Sequence, residues 1–97
     1  MENFLGQRFS QDPTFVYRRI ADECLLVPIR HKVADLQYIY VLNPLANRIW
    51  ELLDGKRTMA EVRDRLLEEF EVSSQELEKD LLEFTEQLKE INAIREI

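Results

Sequence analysis

Between residues 36 and 55, LQYIYVLNPLANRIWELLDG, the spacing of apolar positions switches from strand-like to helical without an intervening loop. Leu36, Tyr38, Tyr40 and Leu42 alternate with Gln37, Ile39 and Val41. That period of two, rich in aromatic and β-branched residues, predicts a strand over 36–42. Past Asn43 the residues Leu45, Ile49, Leu52 and Leu53 fall on one helical face, with Ala46 and Trp50 beside them. The switch has its own chemistry. Asn43 can lend a side-chain oxygen to free helix N–H groups, and Pro44 suits the first helical position, where a missing N–H costs nothing. Gly55 is the expected left-handed residue at the helix end. The strand at 36–42 has neither proline nor charge, the usual guards of an exposed edge, so something is expected to cover it.

The rest of the pattern predicts two more strands upstream and two more helices downstream. Residues 15–20 and 23–27 read as short strands joined by Ala21-Asp22 as a tight hairpin, with Asp12-Pro13-Thr14 as the turn leading in. Pro28 ends the second, and 29–35 is a longer charged connection. With 36–42 these strands predict an antiparallel meander. Thr58 with Glu61 has capping-box spacing, and Ser73 with Glu76 repeats it. In the helix after Thr58, Met59, Val62, Leu66 and Phe70 form an apolar stripe. In the helix after Ser73, Leu77, Leu81, Phe84, Leu88 and Ile91 do the same. The tail at 93–97 is expected to return to the sheet as a short strand. The predicted fold is α+β and winged-helix-like, a three-stranded antiparallel sheet followed by three helices, occupying residues 13–97 as one domain. Residues 1 to about 12, polar apart from Phe4, Leu5 and Phe9, are expected to be a flexible N-terminal segment that frays or lies across the surface.

Composition narrows the function by exclusion. Ninety-seven residues make one domain with one modest core. The lone cysteine, Cys24, sits in an apolar run and reads as a small buried hydrophobe. No apolar run approaches the ~20 residues of a membrane helix, and no secretion signal opens the chain, so a cytoplasmic protein is expected. A net charge of −6 opposes binding to phosphate backbones or anionic lipid. A winged-helix arrangement raises DNA binding, but residues 73–90 carry six acids against Lys79 and Lys89, the wrong sign for a reading helix. His31 is the only histidine, one His and one Cys make no metal site, and Gly6 and Gly55 make no phosphate loop. Neither a catalytic residue nor a cofactor is assigned, and no enzyme activity is expected.

The run from Leu42 through Asn43-Pro44, Ala46, Ile49-Trp50 and Asp54-Gly55 to Thr58 resembles the PqqD-like family, whose pattern is a strand ending in Leu-Asn, a small residue, Ile-Trp, and Asp-Gly before a Thr-capped helix. The likeness continues through Phe70, Asp80 with Phe84, and Leu88 to Ile94, and spans roughly residues 13–95. Asn92 stands where many relatives carry glycine. The resemblance implies a recognition element for ribosomally made, post-translationally modified peptides. Such an element binds the leader of a precursor peptide as a strand added to strand three, against helix three, and presents it to a modifying enzyme such as a radical-SAM maturase. On this chain the implied pairing edge is Gln37, Tyr38, Ile39, Tyr40 and Val41. The facing helix offers Leu77, Asp80, Leu81, Phe84 and Leu88, of which Leu81 and Leu88 can also be read as core.

The mechanism matches the physics of β-augmentation, in which backbone pairing gives affinity and alternate side chains give specificity. Asp80, Glu83 and Glu76 further suggest a leader whose basic residue flanks an apolar anchor. The competing expectation is structural: the same edge pairs with its own copy, making a homodimer or scaffold subunit.

Overall fold

The computed structural model describes residues 3–28 and 39–97 of the chain. After a 3₁₀ turn at Phe4–Gly6 come three strands, β1 (Arg8–Gln11), β2 (Phe15–Ile20) and β3 (Glu23–Pro28). They are followed by β4 (Tyr40–Leu42), α1 (Pro44–Leu52), β5 (Asp54–Thr58), α2 (Met59–Glu69), α3 (Ser74–Glu90) and β6 (Ile94–Glu96). The strands form two antiparallel sheets, ordered β2-β3-β4 and β5-β1-β6. The α+β class and the three-stranded meander are as the sequence predicts; the second sheet is an addition.

Local chemistry explains the meander and the helix starts. Ile20 pairs with Glu23 across the two-residue Ala21-Asp22 connection, and Ala21 takes φ 54° to make the turn. β3 then pairs with β4 through Cys24↔Leu42, Leu25↔Val41 and Leu26↔Tyr40. Asn43 Oδ1 accepts from Ala46 N at 2.8 Å to cap α1. At α2 the capping box is complete: Thr58 Oγ1 accepts from Glu61 N at 3.2 Å, and Glu61 Oε1 accepts from Thr58 N at 2.8 Å. At α3, Ser73 Oγ accepts from Glu76 N at 3.1 Å and donates to the Glu76 carboxylate at 3.3 Å. Asn92, after α3, takes φ 61°, a left-handed conformation that asparagine tolerates better than most residues.

Three expectations are corrected, and a fourth is met over the part that is described. Residues 8–11 do not fray: they form the middle strand of the second sheet, and Phe9 is 1% exposed. A single large apolar side chain per short strand leaves no period in the sequence, yet its burial ties the segment down. The tail does return as a strand, but to β1, through Phe9↔Glu96, Ser10↔Arg95 and Gln11↔Ile94, and not to the meander. Gly55 has the anticipated positive φ, 79°, but α1 is closed by Leu53, whose N–H donates to Trp50 O. Gly55 lies within β5, where an added Cβ would stand 3.4 Å from Ser10 Cβ, so the glycine serves the close approach of β5 to β1. Of the strand expected at 36–42, Tyr40–Leu42 is observed, Ile39 lies just outside it, and 36–38 fall outside the described residues.

The core joins both sheets to the helices: Phe9 from β1, Leu26 from β3, Ile49 and Leu52 from α1, Leu66 from α2 and Leu81 from α3 are all sealed from solvent. Lys89 near the end of α3 lies over the Phe9 ring, 5.8 Å from its centroid, so the helix that borders the site described next is also tied to the second sheet.

Candidate functional site

Among the described residues β4 has one strand neighbour, β3, and no strand on its other side. Alternation sends Tyr40 and Leu42 toward α3, while Ile39 and Val41, 51% and 62% exposed, lie on the opposite face. Between the inward side of β3 and β4 and the last turns of α3 is a recess of about 240 Å³. Leu26, Tyr40, Leu42, Phe84, Leu88 and Ile91 make it apolar, and Gln87 and Glu90 rim it. A second recess of about 260 Å³ continues from it between α1 and α3. Leu45, Ala46 and Ile49 line one flank, and Asp80 and Glu83 the other, with Phe84 and Gln87 common to both recesses. Together they make a groove along α3.

Within that groove lie Tyr40, Asp80, Phe84 and Leu88 of the sequence-derived set. Leu77 and Leu81 do not join them. Both are fully buried, Leu81 in keeping with its alternative reading as core, because the stripe is wider than the groove. Gln37 and Tyr38 lie outside the described residues. Missed by sequence reasoning were Leu26, Leu42, Gln87, Glu90 and Ile91. Phe84, Gln87, Leu88 and Ile91 recur at i, i+3, i+4 and i+7, the spacing of one helix face, which could have marked the groove wall.

A third recess, about 340 Å³, lies at the hairpin end between Arg19, Cys24, Asn47, Arg48, Glu69 and Phe70. Two of its charges, Arg48 and Glu69, satisfy each other. Arg48 donates to both Glu69 carboxylate oxygens at 2.7 and 2.9 Å, and Arg65 adds a bond at 3.0 Å. The Arg48 hydrogen bonds, then those of Arg65, hold the Glu69 carboxyl at about 2, and the same pairing pushes the Arg48 guanidinium upward. Cys24 is buried and accepts from the Tyr17 hydroxyl at 3.2 Å, a bond that raises the phenol above its ordinary value.

Groups of three or more His, Cys, Asp or Glu side chains placed to hold a metal do not occur among the described residues, and His31 lies outside them. No helix of the described residues is long and apolar enough to cross a membrane. What the site offers is a strand edge with no partner among the described residues and an apolar groove alongside, set in a small α+β domain. The chain belongs to the PqqD family: the family profile, coenzyme PQQ synthesis protein D, matches residues 23–94. Among solved structures the fold is shared with a chain described as TbiB1 in complex with the TbiA(beta) leader peptide. The TM-score is 0.72 at 23% identity, over 89% of this chain and 94% of that one. No sequence of curated function matches.

Proposed function

We propose that this chain is a non-catalytic peptide-binding module. It captures the leader of a ribosomally synthesised precursor peptide as a strand added to the open edge of β4, with alternate side chains lowered into the groove against α3. It then holds that leader for a modifying enzyme such as a radical-SAM maturase. The observation that carries the reading is the adjacency of the uncharged edge of Tyr40–Leu42, unpaired among the described residues, to the apolar recess of about 240 Å³. That volume suits one large side chain and falls below the ~300–1,000 Å³ usual for small-molecule sites. Membership of the PqqD family and the fold shared with TbiB1, a chain solved with a leader peptide, support the same reading.

The energetics are adequate. A micromolar complex needs about 8 kcal/mol, within reach of one added strand and one or two buried side chains. An amide NMR titration with the leader of a short peptide encoded beside this protein tests the proposal. Saturable shifts at 39–42 and 80–91 are expected. An absence of shifts at large peptide excess, with a concentration-dependent dimer, would instead favour self-pairing through β4.

A further inference from the structure

The six acids of α3 divide into two groups. Glu78 takes Arg63 at 2.9 Å, Glu86 takes Lys89 at 3.3 Å, and Glu76 closes on the cap residue Ser73. Asp80, Glu83 and Glu90 have no such partner among the described residues, and these three are the acids that border the groove. No lysine or arginine lines either recess of that groove. An unpaired acid on an exposed helix ordinarily means solvation and nothing more. Here the unpaired acids coincide with the groove, and the acids elsewhere on the helix are each engaged by another side chain.

Geometry assigns them a position in the bound strand. The α3 residues lining the two recesses are centred about four to five residues apart, roughly 7 Å along the axis at ~1.5 Å per residue. Two residues along a strand also advance roughly 7 Å. Successive groove-facing side chains of an added strand, i and i+2, therefore fall in successive recesses. The first is apolar. The second has an aliphatic flank of Leu45, Ala46 and Ile49 under a rim of Asp80 and Glu83, which fits a long methylene stem ending in a cation.

We infer that the peptide segment this chain selects carries Lys or Arg at the second position from its apolar anchor, in either chain direction, with the cation seated between Asp80 and Glu83. The inference rests on the strand-addition reading above and narrows the acidic set suggested by the sequence to two residues. Glu76 is engaged at the helix cap.

A random dodecapeptide display library panned on the full chain tests it, followed by amide NMR with the enriched peptides. The expected result is an apolar residue and a Lys or Arg separated by one position, with shifts at 39–42 and 80–91. The Asp80→Asn, Glu83→Gln double variant should bind such a peptide roughly five- to tenfold more weakly. Replacing the peptide's base with Gln should remove the difference between the parent and that variant. Both acids are exposed and have no partner among the described residues, so the substitutions leave the fold intact. Enriched peptides that shift the same amides without a basic preference, or that bind the double variant equally well, overturn this inference and leave strand addition standing. Failure to enrich any peptide, or shifts confined elsewhere, removes the strand-addition reading and the inference with it.

Discussion

The two sheets are assembled in opposite ways. The meander β2-β3-β4 pairs strands next to one another in sequence, whereas β5-β1-β6 draws its middle strand from the N-terminus and an edge from the C-terminus. Side chains reinforce the second sheet. Arg8 Nε donates to Lys56 O at 3.1 Å, and Gln11 Nε2 reaches Trp50 O at 2.7 Å. The edges differ as well. β5 carries Asp54, Lys56 and Arg57, β6 carries Arg95 and Glu96, and β2 carries Arg18 and Arg19; β4, Tyr40-Val41-Leu42, carries no charge. Charged side chains are how sheets keep edges from pairing with other chains. Among the described residues three of the four edge strands are guarded, and the one that is not lies beside the groove. One sheet has charge on both its edges, and the other leaves β4 uncharged.

Removing residues 1–11 should produce the largest effect. Without β1, the edges β5 and β6 lose their common partner, and the core loses Phe4 and Phe9. The expected outcome is loss of a cooperative thermal transition by circular dichroism. A truncated chain that melts as the full one does would mean that the second sheet is dispensable.

Next in size is a paired substitution along α3. Leu81→Ala, in a fully buried site, should cost about 2–5 kcal/mol in denaturant unfolding. Phe84→Ala, at a half-buried position shared by both recesses, should cost less stability and weaken leader binding at least tenfold, about 1.4 kcal/mol or more. If the two variants lost affinity only in proportion to stability, the distinction between core and groove on this helix would fail.

A smaller effect separates the groove from the hairpin-end recess. Glu69 is held at about 2, against an ordinary value near 4.5, by its bonds to Arg48, which link α1 to α2, and to Arg65 one turn earlier in α2. A lowered folded value means that the stabilisation is complete above about pH 4.5 and is lost progressively as pH falls toward 2. Carboxyl NMR should find Glu69 titrating near 2. Glu69→Gln should lower stability near neutral pH, with the difference shrinking over that acid window, while groove amides stay unshifted.

The parts of this architecture that were legible in the sequence are those specified by neighbouring residues. Asn43-Pro44, Thr58 with Glu61, and Ser73 with Glu76 announce helix starts because caps are local hydrogen bonds. Ala21-Asp22 announces a hairpin because the turn sets the register. β1 and β5 were illegible for the converse reason, and β6 was legible as a strand but not in its pairing with β1. DGKRT shows no apolar alternation, and Phe9 is one apolar residue in a polar run, so these strands exist through pairing with distant segments. The site divides similarly. Tyr40, Phe84 and Leu88 lie on the strand and helix periods and enter the site through the family resemblance, but Leu26 and Leu42 look like any inward strand residue until α3 is placed beside them. Leu77 and Leu81 share the stripe of Phe84, and only tertiary packing separates wall from core.

The smallest predicted effect discriminates between the two faces of β4. Val41 is 62% exposed, pairs with Leu25 in the neighbouring strand, and lies on the face turned away from α3. Val41→Thr keeps the β-branched shape that suits a strand and replaces a methyl group by a hydroxyl that water can reach. Stability should change by no more than about 0.5 kcal/mol, as for other exposed substitutions away from caps and cores. Leader affinity measured by calorimetry should stay within about twofold of the parent. The backbone edge is unaltered, and the peptide's groove-facing side chains meet Tyr40 and Phe84 instead. A marked loss of affinity would place peptide side chains on the outer face and move the basis of selectivity from the α3 groove to the exposed surface of the sheet.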